Sequence, residues 1–197
     1  VHISTDYVFD GRKGAPYVEG DATGPLNTYA NSKLAGEHFV RALAPRHLVV
    51  RTCGLYGLSP CCAKGGLNFV ELMLKLGTER GRVRVVDDER VTPTTTRDVA
   101  ANLVALTDTD TSGVIHMTAQ GSCTWFEFAA RIFEIAGVEV TLERADPGEF
   151  GAAVERPGYS VLDNAALRAA GLDRMPDWAD ALGWYLHQRR ADRRFRS

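Results

Sequence analysis

Val1-His2-Ile3-Ser4-Thr5-Asp6-Tyr7, a glycine-rich crossover, and then Tyr29-Ala30-Asn31-Ser32-Lys33-Leu34-Ala35 form the stretch on which the reading of this chain turns. Val1–Ser4 is short and apolar and runs into hydroxyl and acid residues, as a buried strand does at its carboxyl end. Phe9 to Thr28 holds Gly11, Gly14, Pro16, Gly20, Gly24 and Pro25 and reads as a long loop. From Tyr29 to Leu43, Leu34, Ala35, His38, Phe39 and Leu43 recur at helical spacing, and Pro45 stops the helix. His47–Arg51 (His-Leu-Val-Val-Arg) is nearly all apolar, like strands covered on both faces of a parallel sheet. Parallel neighbours need a crossover, and the helix supplies it.

The same alternation continues outward. Thr52 to Gly66 reads as a loop, Leu67–Leu76 as a helix and Arg82–Val86 as a strand. Thr95-Thr96-Arg97-Asp98 and Thr124-Trp125-Phe126-Glu127 each place a hydroxyl three residues before an acid, the capping-box pattern. They predict helices over Asp98–Leu106 and Phe126–Ala136, the second closed by Gly137. Gly113–Thr118 and Val138–Leu142 read as strands, Asn164–Ala170 and Pro176–His187 as helices. Arg189 to Arg196 reads as a solvated basic end. Strands alternating with helices make this an α/β protein with a largely parallel sheet.

Composition narrows the function classes. Of 197 residues, 45% are hydrophobic and 24% charged, values of an ordinary globular protein, and the net charge is -2. A nucleic-acid binder usually carries a strongly basic domain, so no nucleic-acid partner is expected. No apolar run approaches the roughly 20 residues needed to cross a bilayer, so no membrane partner is expected either. No signal-peptide pattern stands at the front, and the opening on Val1-His2-Ile3 reads as the middle of a longer protein. Cys53, Cys61, Cys62 and Cys123 form no C-x-x-C pair, and the histidines show no H-x-x-x-H spacing. The expectation is no metal site and reduced thiols in a cytoplasmic protein.

Tyr29 and Lys33 are four residues apart at the start of a helix, so they share one face. A positive neighbour favours a phenolate and lowers a tyrosine from its usual ~10. A tyrosine tuned this way can pass a proton near neutral pH, which is what a carbonyl reductase needs. The alternative is an ordinary surface pair. Thr5, at the end of the first strand, lies where open α/β sheets bind ligands. Its hydroxyl can bind a substrate oxygen, or simply finish a strand. Strand-end hydroxyl, glycine-rich crossover and Y-x-x-x-K helix together form one ordered unit.

Ser4-Thr5-Asp6-Tyr7-Val8-Phe9-Asp10-Gly11, then Pro25-Leu26-Asn27 and Tyr29, Ser32, Lys33, Leu34, Gly36 and Glu37 at this spacing, resembles the extended short-chain dehydrogenase/reductase family. Later blocks resemble its dTDP-4-dehydrorhamnose reductase subgroup. They are Arg51-Thr52-x-Gly54-Leu55-Tyr56-Gly57, Asn68-Phe69-Val70, Val85-Val86-Asp87-Asp88 leading to Pro93-Thr94, Trp125-Phe126-Glu127-Phe128-Ala129, and Arg156-Pro157-x-Tyr159-Ser160-Val161-Leu162-Asp163.

The resemblance implies the C-terminal part of a doubly wound, Rossmann-like parallel sheet plus a smaller α/β substrate-binding domain. Residues 1–54 and 98–118 would belong to the dinucleotide-binding domain. Residues 55–97, an insertion, and 119–197 would form the substrate side. The implied reaction is reduction of the 4-keto group of a dTDP-4-keto-6-deoxy sugar by NADPH or NADH, with a homodimer as a possible assembly. By the same resemblance Thr5 binds the carbonyl oxygen, Tyr29 donates the proton, and Lys33 tunes Tyr29 and holds the nicotinamide ribose. Ser4 and Thr52 join Tyr29 and Lys33 on the cofactor side. Asp6, Tyr7, Gly54, Asn68 and Arg156 fall on the substrate side.

Two features depart from the family pattern. Some members carry a bulky aromatic where this chain has Gly54, which implies a differently shaped sugar pocket. Arg156 suits a phosphate or a structural salt bridge. The glycine-rich phosphate turn that the family places before this first strand is absent, which implies a piece of a longer enzyme. Two other readings stay open: another nucleotide-sugar epimerase or dehydratase, and a regulatory subunit like that of methionine adenosyltransferase. Dehydratases commonly carry Asp-Glu after the strand-end Thr, and here Asp6-Tyr7 follows Thr5.

Overall fold

The computed structural model describes residues 1–59, 66–146, 148, 149 and 154–192. Cys61, Cys62, most of the end of the Thr52–Gly66 loop and the last residues of the basic end lie outside them. In chain order come β1 (His2–Thr5), a 3-10 turn (Asp6–Val8), α1 (Thr28–Leu43), β2 (Leu48–Thr52) and β3 (Leu55–Tyr56). Then come α2 (Phe69–Arg80), β4 (Arg82–Val85), β5 (Arg90–Val91), β6 (Thr94–Thr95) and α3 (Thr96–Thr107). β7 (Gly113–His116), β8 (Cys123–Thr124), α4 (Trp125–Ala136), β9 (Thr141–Arg144), α5 (Ala165–Ala169) and α6 (Trp178–Ala191) complete the series.

The sheet that positions the site has the order β1-β2-β7, all parallel. β2 is its centre, and all five of its residues are buried, as the apolar reading of this strand requires. The register pairs His2 with Val49 and Thr5 with Thr52, so the carboxyl ends of β1 and β2 finish level. α1 crosses over between them. One apolar cluster covers the sheet, with Leu48, Val50, Ile115 and Met117 against Val99 and Leu106 of α3 and Leu167 of α5.

A second cluster joins α2, α4, α6 and β4, with Phe128 and Tyr185 at its centre. Burying a side chain such as Phe128 contributes about 2–3 kcal/mol. Gly77 lets α2 and α4 approach closely: a Cβ there would stand 2.5 Å from Phe133 Cε1. β4 and β9 pair in parallel beside this cluster.

The helix signals hold with refinements. Thr124 and Glu127 form the full reciprocal capping box, and Gly137 closes α4 at φ 70°. Thr95 accepts from the Asp98 N–H but gives its own hydroxyl proton to the Asp98 carboxylate, so only half of the expected box forms. The last strand lies at Thr141–Arg144 instead of Val138–Leu142. Val138 and Val140 pack on the apolar cluster before the strand begins. β3, β5, β6 and β8 are two residues each; β3 falls in a stretch read as loop, β6 and β8 run into helix starts and β5 lies where no element is read, because two residues carry no periodicity. The basic end begins inside α6, where Arg189 donates to both Glu71 oxygens at 2.8 Å.

No described helix is long and apolar enough to cross a membrane. Among the described residues no group of three or more His, Cys, Asp and Glu is placed to hold a metal.

Candidate active site

The site forms where β1 and β2 end. Thr5 is buried, 6% exposed, and caps the 3-10 turn that follows, its Oγ1 accepting from the Tyr7 N–H at 3.2 Å. The same oxygen lies 3.0 Å from Asp6 Oδ1. Asp6 turns inward. Its second oxygen accepts from Cys53 Sγ at 3.1 Å, and Ser160 also bonds the carboxyl. Burial raises its pKa, against the hydrogen bonds of Ser160, Cys53 and Thr5, which lower it. Thr52 stands beside Thr5, and its Oγ1 is buried with no hydrogen-bond partner among the described residues.

α1 brings the second half. Asn27 caps it by accepting from the Ala30 N–H at 2.9 Å and ties the cap to the Glu155 carbonyl at 2.9 Å. Ala30 and Glu37 face inward. Tyr29 is 54% exposed and meets the Tyr7 ring edge-on, centroids 6.2 Å apart at 83°. The ring contact sets the helix tyrosine beside the strand-end Thr5-Asp6-Tyr7 turn. Lys33 is half-buried one turn further along the same face, and no hydrogen bond or ion pair engages its ammonium among the described residues.

What holds α1 at this rotation is Glu37. Its carboxylate is fully buried and takes Arg51 at two points, Nε to Oε1 at 2.9 Å and Nη2 to Oε2 at 2.7 Å, with Ser4 Oγ donating to Oε1 at 2.5 Å. Burial alone raises its pKa, but the hydrogen bonds of Arg51 and Ser4 outweigh that and leave it lowered. His116 on β7 completes the row, its Nε2 3.5 Å from Arg51 Nη1. Ser4, expected on the cofactor side, thus has its hydroxyl committed to Glu37.

The substrate-side residues divide. Tyr7 stays with Tyr29. Its pKa is raised, by burial first, while Arg156 opposes. Arg156 is near enough to Tyr7 to act on it, is about half exposed, and pairs with Glu89 at 3.7 Å. The salt-bridge reading of Arg156 therefore has a partner in hand, and part of the guanidinium remains open to an anion. Gly54 adopts φ +54°, and a Cβ there would lie 3.2 Å from Pro93 Cα. Asn68 caps α2, accepting from the Glu71 N–H at 3.1 Å and donating to the Gly57 carbonyl at 2.9 Å and Tyr185 Oη at 3.0 Å. Its amide is fully used, so any anion at this end of α2 meets the helix N-terminus rather than the Asn68 side chain.

Glu37, Arg51, Cys53 and Ser160 carry no site role in the sequence pattern alone. One signal was available: a single arginine in an otherwise apolar central strand must find a buried acid, and Glu37 lies on the crossover helix between the two strands. Cys53 and Ser160 offered none. For a nicotinamide cofactor, the unengaged Lys33 and the orphaned Thr52 hydroxyl are fitting donors at the strand ends.

The chain matches the family model described as RmlD substrate binding domain over residues 1–191. It is 42% identical over 184 residues to the dTDP-4-keto-6-deoxy-D-glucose reductase of Streptomyces niveus, covering 92% of this chain and 62% of that one. It is 40% identical over 189 residues to the spore coat polysaccharide biosynthesis protein SpsK of Bacillus subtilis, covering 96% and 64%. A solved dTDP-4-dehydrorhamnose reductase of Bacillus anthracis, in complex with NADP, superposes with a TM-score of 0.89 at 40% identity, over 95% of this chain and 64% of that one. The chain spans less than two thirds of the length of these relatives. The shared fold is the Rossmann-type α/β arrangement with its parallel sheet, as expected from the sequence.

Proposed function

This chain belongs to the RmlD substrate binding domain family, and we propose that the protein carrying it reduces the 4-keto group of a dTDP-4-keto-6-deoxy sugar with NADPH or NADH. The observation that carries the reading is the edge-on contact of Tyr7 and Tyr29, which brings an exposed helix tyrosine to the turn that Thr5 caps. The names of the relatives support the substrate class.

In this reading Thr5 bonds the substrate carbonyl oxygen, and Tyr29 gives that oxygen its proton as negative charge develops on it. The Lys33 ammonium, one turn on, offsets the charge left on Tyr29. A nicotinamide cofactor supplies the two-electron reduction when bound. Lys33 and Thr52 would hold it from this chain. Tyr7 lines the sugar, Gly54 leaves it room, and Arg156 with the N-terminus of α2 faces the diphosphate. The same reading assigns residues 1–54 and 98–118 to the cofactor side and 55–97 and 119–197 to the substrate side. It places the protein in the cytoplasm, with a homodimer as the assembly to test.

The deciding experiment is turnover by the full-length protein with NADPH or NADH and a dTDP-4-keto-6-deoxy sugar. Cofactor oxidation matched by formation of the 4-hydroxy product is expected. No turnover with either cofactor would overturn the reductase and leave the epimerase or dehydratase and the regulatory-subunit readings in its place.

A further inference from the structure

A threonine hydroxyl has one proton to donate and two acceptor positions. At Thr5 one acceptor position is filled by the Tyr7 N–H at 3.2 Å. The other polar group at hand is Asp6 Oδ1, 3.0 Å from Thr5 Oγ1. An ionised carboxylate only accepts, so with Asp6 ionised the Thr5 proton is held on Asp6 and is lost to any ligand. With Asp6 protonated the bond reverses. Asp6 then fills the second acceptor position of Thr5, and the Thr5 proton is left to a ligand oxygen.

The surroundings of Asp6 favour this arrangement. The residue is 3% exposed and has no ion pair among the described residues. The Cys53 thiol beyond β2 and the Ser160 hydroxyl bond its carboxyl and work against protonation, but neither is a cation that would hold a buried carboxylate ionised. Tyr7, on the same turn, is flanked by Glu89 and Arg156, which pair with each other at 3.7 Å. We propose that Asp6, in its protonated form, is the positioning residue that turns the Thr5 hydroxyl toward the substrate carbonyl oxygen. This role rests on the reductase reading above. Burial acts in the same direction, holding the carboxyl above its ordinary range.

Two measurements on the full-length protein test it. In difference infrared spectra near neutral pH, a protonated-carboxyl stretch is expected in the wild type and absent from Asp6→Asn. In kinetics, Asp6→Ala leaves the Thr5 hydroxyl free to rotate, and losing the fixed orientation of this donor to a developing oxyanion is expected to lower kcat by about 100-fold. Asp6→Asn, whose amide N–H can donate to Thr5 permanently, is expected to recover at least about tenfold of that loss. On a Thr5→Val background, Asp6→Ala is expected to cost less than about threefold more, since the two residues act as one unit. Turnover without the infrared band overturns the Asp6 role alone, as does an equal loss in the Ala and Asn variants or an undiminished loss on Thr5→Val. The band without any turnover overturns the reductase reading, and the Asp6 role toward a substrate falls with it.

Discussion

Glu37 and Arg51 form a two-point ion pair with side chains 0% and 4% exposed, and it fastens the helix carrying Tyr29 and Lys33 to the central strand of the sheet. Two charges so enclosed are costly to desolvate, and breaking one side leaves the other uncompensated. Glu37→Ala is therefore expected to destabilise the protein by about 3–5 kcal/mol. Urea unfolding of the variant against wild type measures this. A loss under about 1 kcal/mol, the range of an exposed pair, contradicts the clamp.

Tyr29→Phe removes one oxygen from a ring that is more than half exposed, so stability should hold. If the hydroxyl donates the proton, kcat falls by about 100- to 10,000-fold, with the loss in kcat rather than KM. Steady-state kinetics on a dTDP-4-keto-6-deoxy sugar decide it. Unchanged kcat ends the mechanism and leaves the fold untouched.

His116 sets an acid limit on stability. Burial, with Arg51 alongside and against the pull of Glu19, lowers its pKa to about 4. Unfolded, a histidine titrates near 6.5. Between these values the unfolded chain binds a proton that the folded one refuses, so stability rises with pH across the window and is lost as pH falls from about 6.5 to about 4. The full loss is on the order of 3 kcal/mol. Glu37, whose folded pKa is lowered, adds its own loss only further toward acid. Unfolding free energies of wild type and His116→Gln across this range should converge as pH falls. Parallel curves would refute the assignment.

Gly54→Ala tests the turn beyond β2. The residue needs φ +54°, and an added Cβ presses on Pro93 Cα at 3.2 Å. The left-handed conformation alone costs a non-glycine residue roughly 1–2 kcal/mol. A drop of at least that size in thermal or chemical unfolding is expected. A neutral variant would show that the turn relaxes.

Much of this molecule was legible along the chain because the deciding interactions are local. An amphipathic helix, a hydroxyl three residues before an acid at Thr124 and Glu127, and an apolar run over Leu48–Val50 each act within a turn or a strand, where sequence distance is spatial distance. The alternation of strand and helix and the sharing of one face by Tyr29 and Lys33 belong to this class. The two-residue strands do not, since each is made by its partner rather than by its own pattern.

What tertiary structure alone decided is the assignment of the polar side chains. Asn68 looked available at a helix start, and its amide is taken by Tyr185, 117 residues away. Asp6 looked like a sugar contact, and its carboxyl is instead enclosed by Cys53, 47 residues on, and by Ser160. Ser4 serves Glu37 across 33 residues. A buried donor or acceptor must find a partner. Composition and spacing say that the need exists, but which partner meets it depends on how close-packed elements set distant residues side by side.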